Sequence, residues 1–291
     1  MSWNAKTVLQ LSRVATLPTV VSSSLAGVAL AGGNPLNPNI LIFMFSMSLA
    51  YIGGMFLNDA FDRKTDKEEH PKRPISAGNI KAAEVFAAGF TLLAASVMFA
   101  GLGAISWGHN AAIVMLLTIA LAISIVLYDI WHKDNPLNPV IMGMCRLLLL
   151  LIVGFGATDK PSIVLYFGAA VVFCYVVGLT CVARQENLTE VKNLWPLLLL
   201  FAPVAYGVIR LVGDFQVFPM LLLLTACTLY ALYLIKRKQP DDAQQATTIM
   251  IAGTALADAL LISTSSSLLI AAIAVAAFLL ILFLQRYIAD T

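Results

Sequence analysis

Asn58, Asp59, Asp62 and Asp66 lie close together where a long apolar run ends, with Arg63 and Lys64 set between them. On a helix, Asn58, Asp62 and Asp66 fall four residues apart and share one face, with Asp59 about 100° round from Asn58. Carboxylates crowded on one face repel each other, so the arrangement gains from a hard divalent cation. Mg2+ is commonly held by one or two carboxylates together with the phosphate oxygens of a ligand. The segment just downstream, His70-Pro71-Lys72-Arg73-Pro74, offers cations to the same phosphates. Arginine grips phosphate with two parallel N–H groups and lysine acts as a point charge. Residue types and spacing admit two readings: a metal–diphosphate site at a membrane surface, or a hydrated loop of mixed charge.

The elements that must position this stretch are made for lipid. Of 291 residues, 60% are hydrophobic and 12% charged, with a mean hydropathy of +0.87, whereas soluble domains carry about 25% charged residues. Apolar runs of spanning length occur near 13–32, 40–57, 82–106, 110–131, 138–157, 162–183, 193–213 and 216–235. The stretch 245–287 is too long for one span, and Ser263-Thr264-Ser265-Ser266-Ser267 offers a turn between two shorter helices. The expected fold is all-α, a polytopic transmembrane helical bundle of nine or ten spans around a central cavity, forming one domain over 1–291. Residues 1–12 predict a short interfacial helix with Trp3, Val8 and Leu9 against lipid and Lys6 in water. No cleavable leader pattern is expected, so the first span reads as an anchor. Pro18, Gly53, Gly54, Gly143, Gly154 and Pro203 inside the runs allow kinks and close helix approach. Cys145, Cys174, Cys181 and Cys227 lie in apolar runs without C-x-x-C spacing, and read as small buried hydrophobes.

Lysine and arginine placement predicts orientation. Of the 18 basic residues, only Lys160, Arg210 and the intramembrane Arg146 fall away from one side of the bundle, if ten spans are counted. That side, with the acidic stretch, is expected to be cytoplasmic, where Mg2+ and soluble diphosphates are available. The basic residues are spread between spans rather than pooled, so nucleic acid is not an expected partner; membrane lipid is.

Three further polar clusters end or interrupt runs near the same side. Tyr128-Asp129-Ile130-Trp131-His132-Lys133-Asp134 closes the fourth run. Arg184-Gln185-Glu186-Asn187-Leu188-Thr189-Glu190 closes the sixth, with Glu186 and Glu190 four residues apart. Arg146 lies about two turns beyond Asn138 in the fifth, where a buried arginine is costly and faces a polar cavity or a partner. Two acidic faces around a cavity, with Arg73, Lys133 and Arg146 nearby, would suit a doubly charged ligand bridged by metal. Of the histidines, His70, His109 and His132 lack metal-ligand spacing, and only His132 is placed to touch a substrate. Asp258 sits mid-run and predicts a structural hydrogen bond to a neighbouring span.

The pattern Asn-Asp-x-x-Asp-x-x-x-Asp at 58–66, followed by Arg73-Pro74 and Gly78, resembles the UbiA superfamily of intramembrane prenyltransferases. Leu9-Gln10-Leu11-Ser12-Arg13 before the first run and Tyr128 with a downstream lysine add to the resemblance. The resemblance implies Mg2+-dependent transfer of a prenyl group from a polyprenyl diphosphate to an aromatic or other small hydrophobic acceptor within the membrane. It implies a bacterial inner membrane setting as well. By the same resemblance Asn58, Asp62 and Asp66 are metal ligands, with Asp59 supporting them. Asp62, Asp66, Lys133 and Arg146 would serve catalysis, and Arg73, Tyr128, His132, Arg184, Glu186 and Glu190 would contact substrate.

Two departures stand out. The family's second motif is aspartate-rich, whereas this chain has Glu186 and Glu190, whose extra methylene moves the carboxylate oxygens outward. The tyrosine-to-lysine spacing is stretched, with His132 at the usual lysine place and Lys133 following. The resemblance is therefore to a divergent branch such as the EboC-type members of bacterial metabolic gene clusters. A non-enzymatic carrier or lipid-binding relative that kept the fold is the alternative. An ion-coupled transporter fits less well, because the charges gather at one rim rather than at mid-membrane.

Overall fold

α3 (Ile40–Glu69) is a 30-residue helix, about 45 Å long at 1.5 Å per residue. The hydrocarbon layer is about 30 Å thick and takes about 20 residues, so α3 leaves it near Asp59. Its last turns stand beyond the apolar layer and carry Asp62 and Asp66. The computed structural model describes residues 3–109, 111–131, 135–183, 195–237, 239, 241–265 and 268–288. Every regular element among them is helical.

α1 (Ala5–Ser12) is capped by Asn4, whose side chain accepts from the Thr7 amide. Its Leu11 is buried while Trp3, Val8 and Leu9 are exposed, as an interfacial helix requires. A 3-10 turn at Val14–Thr16 leads into α2 (Pro18–Ala31). α3 is followed by α4 (Ala82–Trp107), α5 (Ala111–Trp131), α6 (Asn138–Ala157) and α7 (Ile163–Ala183). Short α8 (Trp195–Leu200) and α9 (Ala202–Leu211) precede α10 (Phe218–Arg237), α11 (Asp242–Ser263) and α12 (Leu268–Ile288). The described residues contain 9 helices long and apolar enough to cross a membrane.

The run 193–213 differs from expectation. Its described residues form α8 and α9 with a break at Phe201, because Pro203 is tolerated only in the first turn of a helix. α9 still reaches the far end of the bundle, where Arg210 donates to the Thr264 carbonyl at the end of α11. The long stretch 245–287 divides as expected, with a turn at Thr264 and Ser265. Mid-membrane packing is tight where glycines face each other: a Cβ on Gly53 would lie 3.0 Å from the Gly89 carbonyl oxygen, bringing α3 and α4 close.

α2 and α11 are the enclosed helices, while α5, α10 and α12 present mostly outward faces. Aromatic side chains mark both rims. Exposed Trp131 and the stacked Tyr230–Tyr233 pair lie toward one end, with Arg237 over the Tyr233 ring. Stacked Phe215 and Phe218 lie toward the other. Such belts suit the headgroup layer. α3 ends, α5 ends, and α6 and α11 begin on the Trp131 side, which carries the acidic stretch.

Candidate functional site

Asp59 sits where elements distant in sequence meet. It is 4% exposed, on the last turn of α3 within the apolar layer. Arg13 Nη2 donates to Asp59 Oδ1 at 3.0 Å and to Asn58 Oδ1 at 3.3 Å. Arg13 joins α1 to the 3-10 turn with a left-handed backbone, φ 43°, uncommon for a residue with a side chain. Its carbonyl accepts from the hydroxyls of Thr16 and Tyr51, which fixes this bend. Burial works against the Arg13 charge, but the facing Asp59 carboxylate, then Tyr51, outweigh it and hold its pKa above the ordinary value.

A second arginine arrives from the loop after α3. Arg73 Nη1 is 2.8 Å from Asp66 Oδ2 and 3.8 Å from Asp59 Oδ1. The two carboxylates lie seven residues apart, two turns along one helix face, so one guanidinium spans both. Asn58 also points toward α5, its Nδ2 donating to Asp129 Oδ1 at 3.3 Å. Tyr128 of α5 hydrogen-bonds the side chain of Asn138 at the start of α6. Asp62 is half-buried between these turns. A cavity of about 400 Å3 opens beside the cluster, lined by Arg13, Asp59, Arg73, His70 and, from α11, Gln244.

Arg146 lies deeper. It is eight residues beyond Asn138, about 12 Å along α6, and its three hydrogen bonds go to α2. Nη1 donates to the Thr19 carbonyl at 3.1 Å and to Ser23 Oγ at 2.9 Å; Nη2 donates to Thr19 Oγ1 at 3.0 Å. Asp258 makes the interhelical hydrogen bonds expected of it, accepting from Ser22 and Ser23 of α2 at 2.6 and 2.7 Å.

The structure thus brings Asn58, Asp59, Asp66 and Arg73 together, with Asp62 on the same turns and Tyr128 on the neighbouring helix end. It sets Arg146 on a separate polar cluster below them. His132, Lys133, Arg184, Glu186 and Glu190 lie outside the described residues. Asp59, expected in a supporting place, is where both arginines meet. Sequence reasoning did not name Arg13 or Asp129 as site residues. The available signals for Arg13 were its place in the Leu9-Gln10-Leu11-Ser12-Arg13 stretch and its position between an amphipathic helix and the first span.

No set of three His, Cys, Asp or Glu side chains is gathered for a metal among the described residues. The donor chemistry nevertheless fits a hard cation. Asp62, Asp66 and the Asn58 amide offer oxygen only, the ligand type Mg2+ takes, and Arg73 now neutralises Asp66 in the way a cation would.

Residues 20–252 match the UbiA prenyltransferase family. The chain is 29% identical over 171 residues to a protoheme IX farnesyltransferase from Sinorhizobium fredii (strain NBRC 101917 / NGR234), covering 56% of this chain and 52% of that one. It is 33% identical over 144 residues to a protoheme IX farnesyltransferase from Agrobacterium fabrum (strain C58 / ATCC 33970), covering 48% and 43%. The chain spans about half the length of these curated relatives. Among solved structures it is similar to a UbiA homologue from Aeropyrum pernix K1, with TM-score 0.65, 14% identity, and 84% and 96% of the two chains covered. It is also similar to a UbiA homologue from Archaeoglobus fulgidus bound to DMAPP and Mg2+, with TM-score 0.59, 14% identity, and 87% and 98% covered. At such identity the structural likeness establishes the fold. With most of its length inside the family match, the chain belongs to the UbiA prenyltransferase family.

Proposed function

We propose that this protein transfers a prenyl group from a polyprenyl diphosphate to a small hydrophobic or aromatic acceptor within the membrane, and that the reaction depends on Mg2+. The observation that supports this most is the convergence of Arg13 and Arg73 on Asp59 and Asp66 beside a cavity at the end of α3. Two guanidinium groups held at a rim between water and lipid suit a ligand with an anionic head and an apolar tail.

In this reading Asn58, Asp62 and Asp66 hold Mg2+, with Asp59 in support. Bound there, the metal supplies Lewis-acid neutralisation of the diphosphate oxygens. Arg13 and Arg73 hold further oxygens and offset the negative charge that grows as the C1–O bond breaks and its electron pair leaves with the diphosphate. An acceptor atom gives an electron pair to C1, and the acceptor then loses a proton. The apolar helix faces below Asn58 keep water from the allylic centre. Lys133, Arg184, Glu186 and Glu190 belong to the same site on sequence grounds, with Tyr128 and His132 as substrate contacts and Arg146 as a deeper cation. The acidic rim faces the cytoplasm of a bacterial inner membrane.

The experiment is donor binding and turnover in nanodiscs. Farnesyl diphosphate with Mg2+ should raise the melting temperature of the wild-type protein, and pyrophosphate should appear when a panel of acceptors, protoheme included, is added. Asp62→Ala should abolish the release; unchanged turnover in that variant removes the mechanism. Binding without release from any acceptor would favour a carrier.

A further inference from the structure

A series of hydrogen-bonded polar groups, joined through the covalent frames of Thr16 and Arg13, leads from the interior of the bundle to the acidic rim, and it starts at Asp258. This carboxylate is 0% exposed, in the second half of α11. Its Oδ2 accepts from Ser22 and Ser23, while its Oδ1 is buried with no hydrogen-bond partner. A buried carboxylate oxygen left unpaired is costly, so the charge must be offset nearby. The counter-charge is Arg146, whose Nη1 donates to the same Ser23 hydroxyl. Ser23 has one proton: it accepts from Arg146 and donates to Asp258, which gives this link a fixed direction.

From Arg146 the path continues upward. Nη2 donates to Thr19 Oγ1, which donates to the Thr16 carbonyl at 2.8 Å. The Thr16 hydroxyl pairs with the Tyr51 hydroxyl, and Tyr51 reaches the Arg13 carbonyl. Arg13 ends the path on Asn58 and Asp59. Side chains of a helix lean toward its N-terminus, so Arg146, on a helix that begins at the acidic rim, leans toward that rim. Hydrogen bonds to Thr19 and Ser23, one turn apart on α2, hold its guanidinium in one orientation.

We propose that Asp258 is a positioning residue for the diphosphate site, acting through Ser23 to hold the Arg146 guanidinium beneath the acidic rim. The inference rests on the prenyl diphosphate reading. Charge alone and positioning predict opposite signs. If Asp258 acted only as a negative charge, removing it would strengthen anion binding through Coulomb attraction. If it holds Arg146 in place, removing it weakens anion binding, and only while Arg146 is present.

The test measures farnesyl diphosphate affinity, with Mg2+, for nanodisc-reconstituted wild type, Asp258→Ala, Arg146→Gln and the double variant, with melting temperatures recorded in parallel. Asp258→Ala, which removes both the charge and the acceptor for Ser23, should weaken binding about fivefold in the wild-type background and under about twofold in the Arg146→Gln background, a coupling typical of residues in one network. A purely structural role would lower the melting temperature and affinity together in both backgrounds. Should Asp258→Ala fail to fold, Ser23→Ala cuts the same link without changing charge and should give the same loss. Unchanged or tighter binding, or equal loss in both backgrounds, overturns the positioning role. No binding by the wild type overturns the diphosphate reading itself, and the inference with it.

Discussion

Arg13 Nη2 lies 3.0 Å from Asp59 Oδ1, although 46 residues separate them in sequence. The contact closes the amphipathic N-terminal segment over the end of α3 and places a cation at the cavity mouth. Removing one partner of a buried pair leaves the other uncompensated, at a cost of several kcal/mol when both are fully buried. The Arg13 side chain is 33% exposed, so solvent screens part of that cost. Arg13→Gln is expected to destabilise the protein by about 1–2 kcal/mol. It should also weaken farnesyl diphosphate binding about tenfold, since charge-assisted bonds of this kind are among the stronger ones. Melting curves and titration of the same preparation check both effects. Unchanged affinity would show that Arg13 serves the fold alone.

Arg73 spans Asp59 and Asp66, which sets it in competition with any metal for Asp66. Arg73→Gln removes a phosphate-binding cation and also releases the carboxylate. Mg2+ alone should then bind more tightly, while farnesyl diphosphate in saturating Mg2+ binds about tenfold more weakly. Calorimetric titrations, first with Mg2+ and then with donor, read the two changes separately. Movement in the same direction would place the metal away from Asp66.

How much of this was legible in the sequence depends on the range of each interaction. The spacing of Asn58, Asp62 and Asp66 needs only helix geometry, and the rim position follows from the length of the apolar run before it. Asp258 was recognisable as needing a partner because no carboxylate sits unbonded at mid-membrane. That its partners would be Ser22 and Ser23 was not, since helix order within the bundle is absent from local pattern. Arg13 was hidden for the same reason, as its task depends on a left-handed bend and a helix 46 residues away. The break at Phe201 was foreshadowed by Pro203, but hydropathy averaged over the run concealed it.

α3 and α4 pack tightly at Leu57 and Gly89, just below the site, and a third prediction follows from that contact. A Cβ on Gly89 would fall 2.8 Å from Leu57 Cγ and Cδ2. Leu57 is fully buried and directly precedes Asn58. Gly89→Val must push α4 away or turn the Leu57 side chain, with overpacking costs of about 1–3 kcal/mol. A lowered melting temperature together with weakened donor binding is expected. Gly108→Ala is the control: its Cβ would meet nothing within 4 Å, and although its positive φ is strained, it lies at the opposite end of α4. That variant should lose stability while keeping donor affinity in the folded fraction. Equal loss of affinity in both would mean that general destabilisation, not Leu57, links this contact to the site.

Tyr51 offers the sharpest separation of stability from site geometry. Its hydroxyl touches Thr16 and the Arg13 carbonyl, holding the bend that aims Arg13 at Asp59. Tyr51→Phe keeps the ring and removes only those bonds. A single intramolecular hydrogen bond contributes about 1 kcal/mol, so the melting temperature should fall only slightly. The Thr16 hydroxyl keeps an acceptor in the Arg13 carbonyl, which avoids a fully orphaned donor. Arg13, however, loses the one bond from α3 to its left-handed backbone, keeping only local ones from Thr16 and to Gln10, and other conformations become open to it. Donor affinity should therefore drop by several-fold, more than the stability change alone would suggest, and Arg13→Gln in the Tyr51→Phe background should add little, as for groups acting in one network. Additive losses in the double variant would mean that Tyr51 reaches the diphosphate site by a route that does not pass through Arg13.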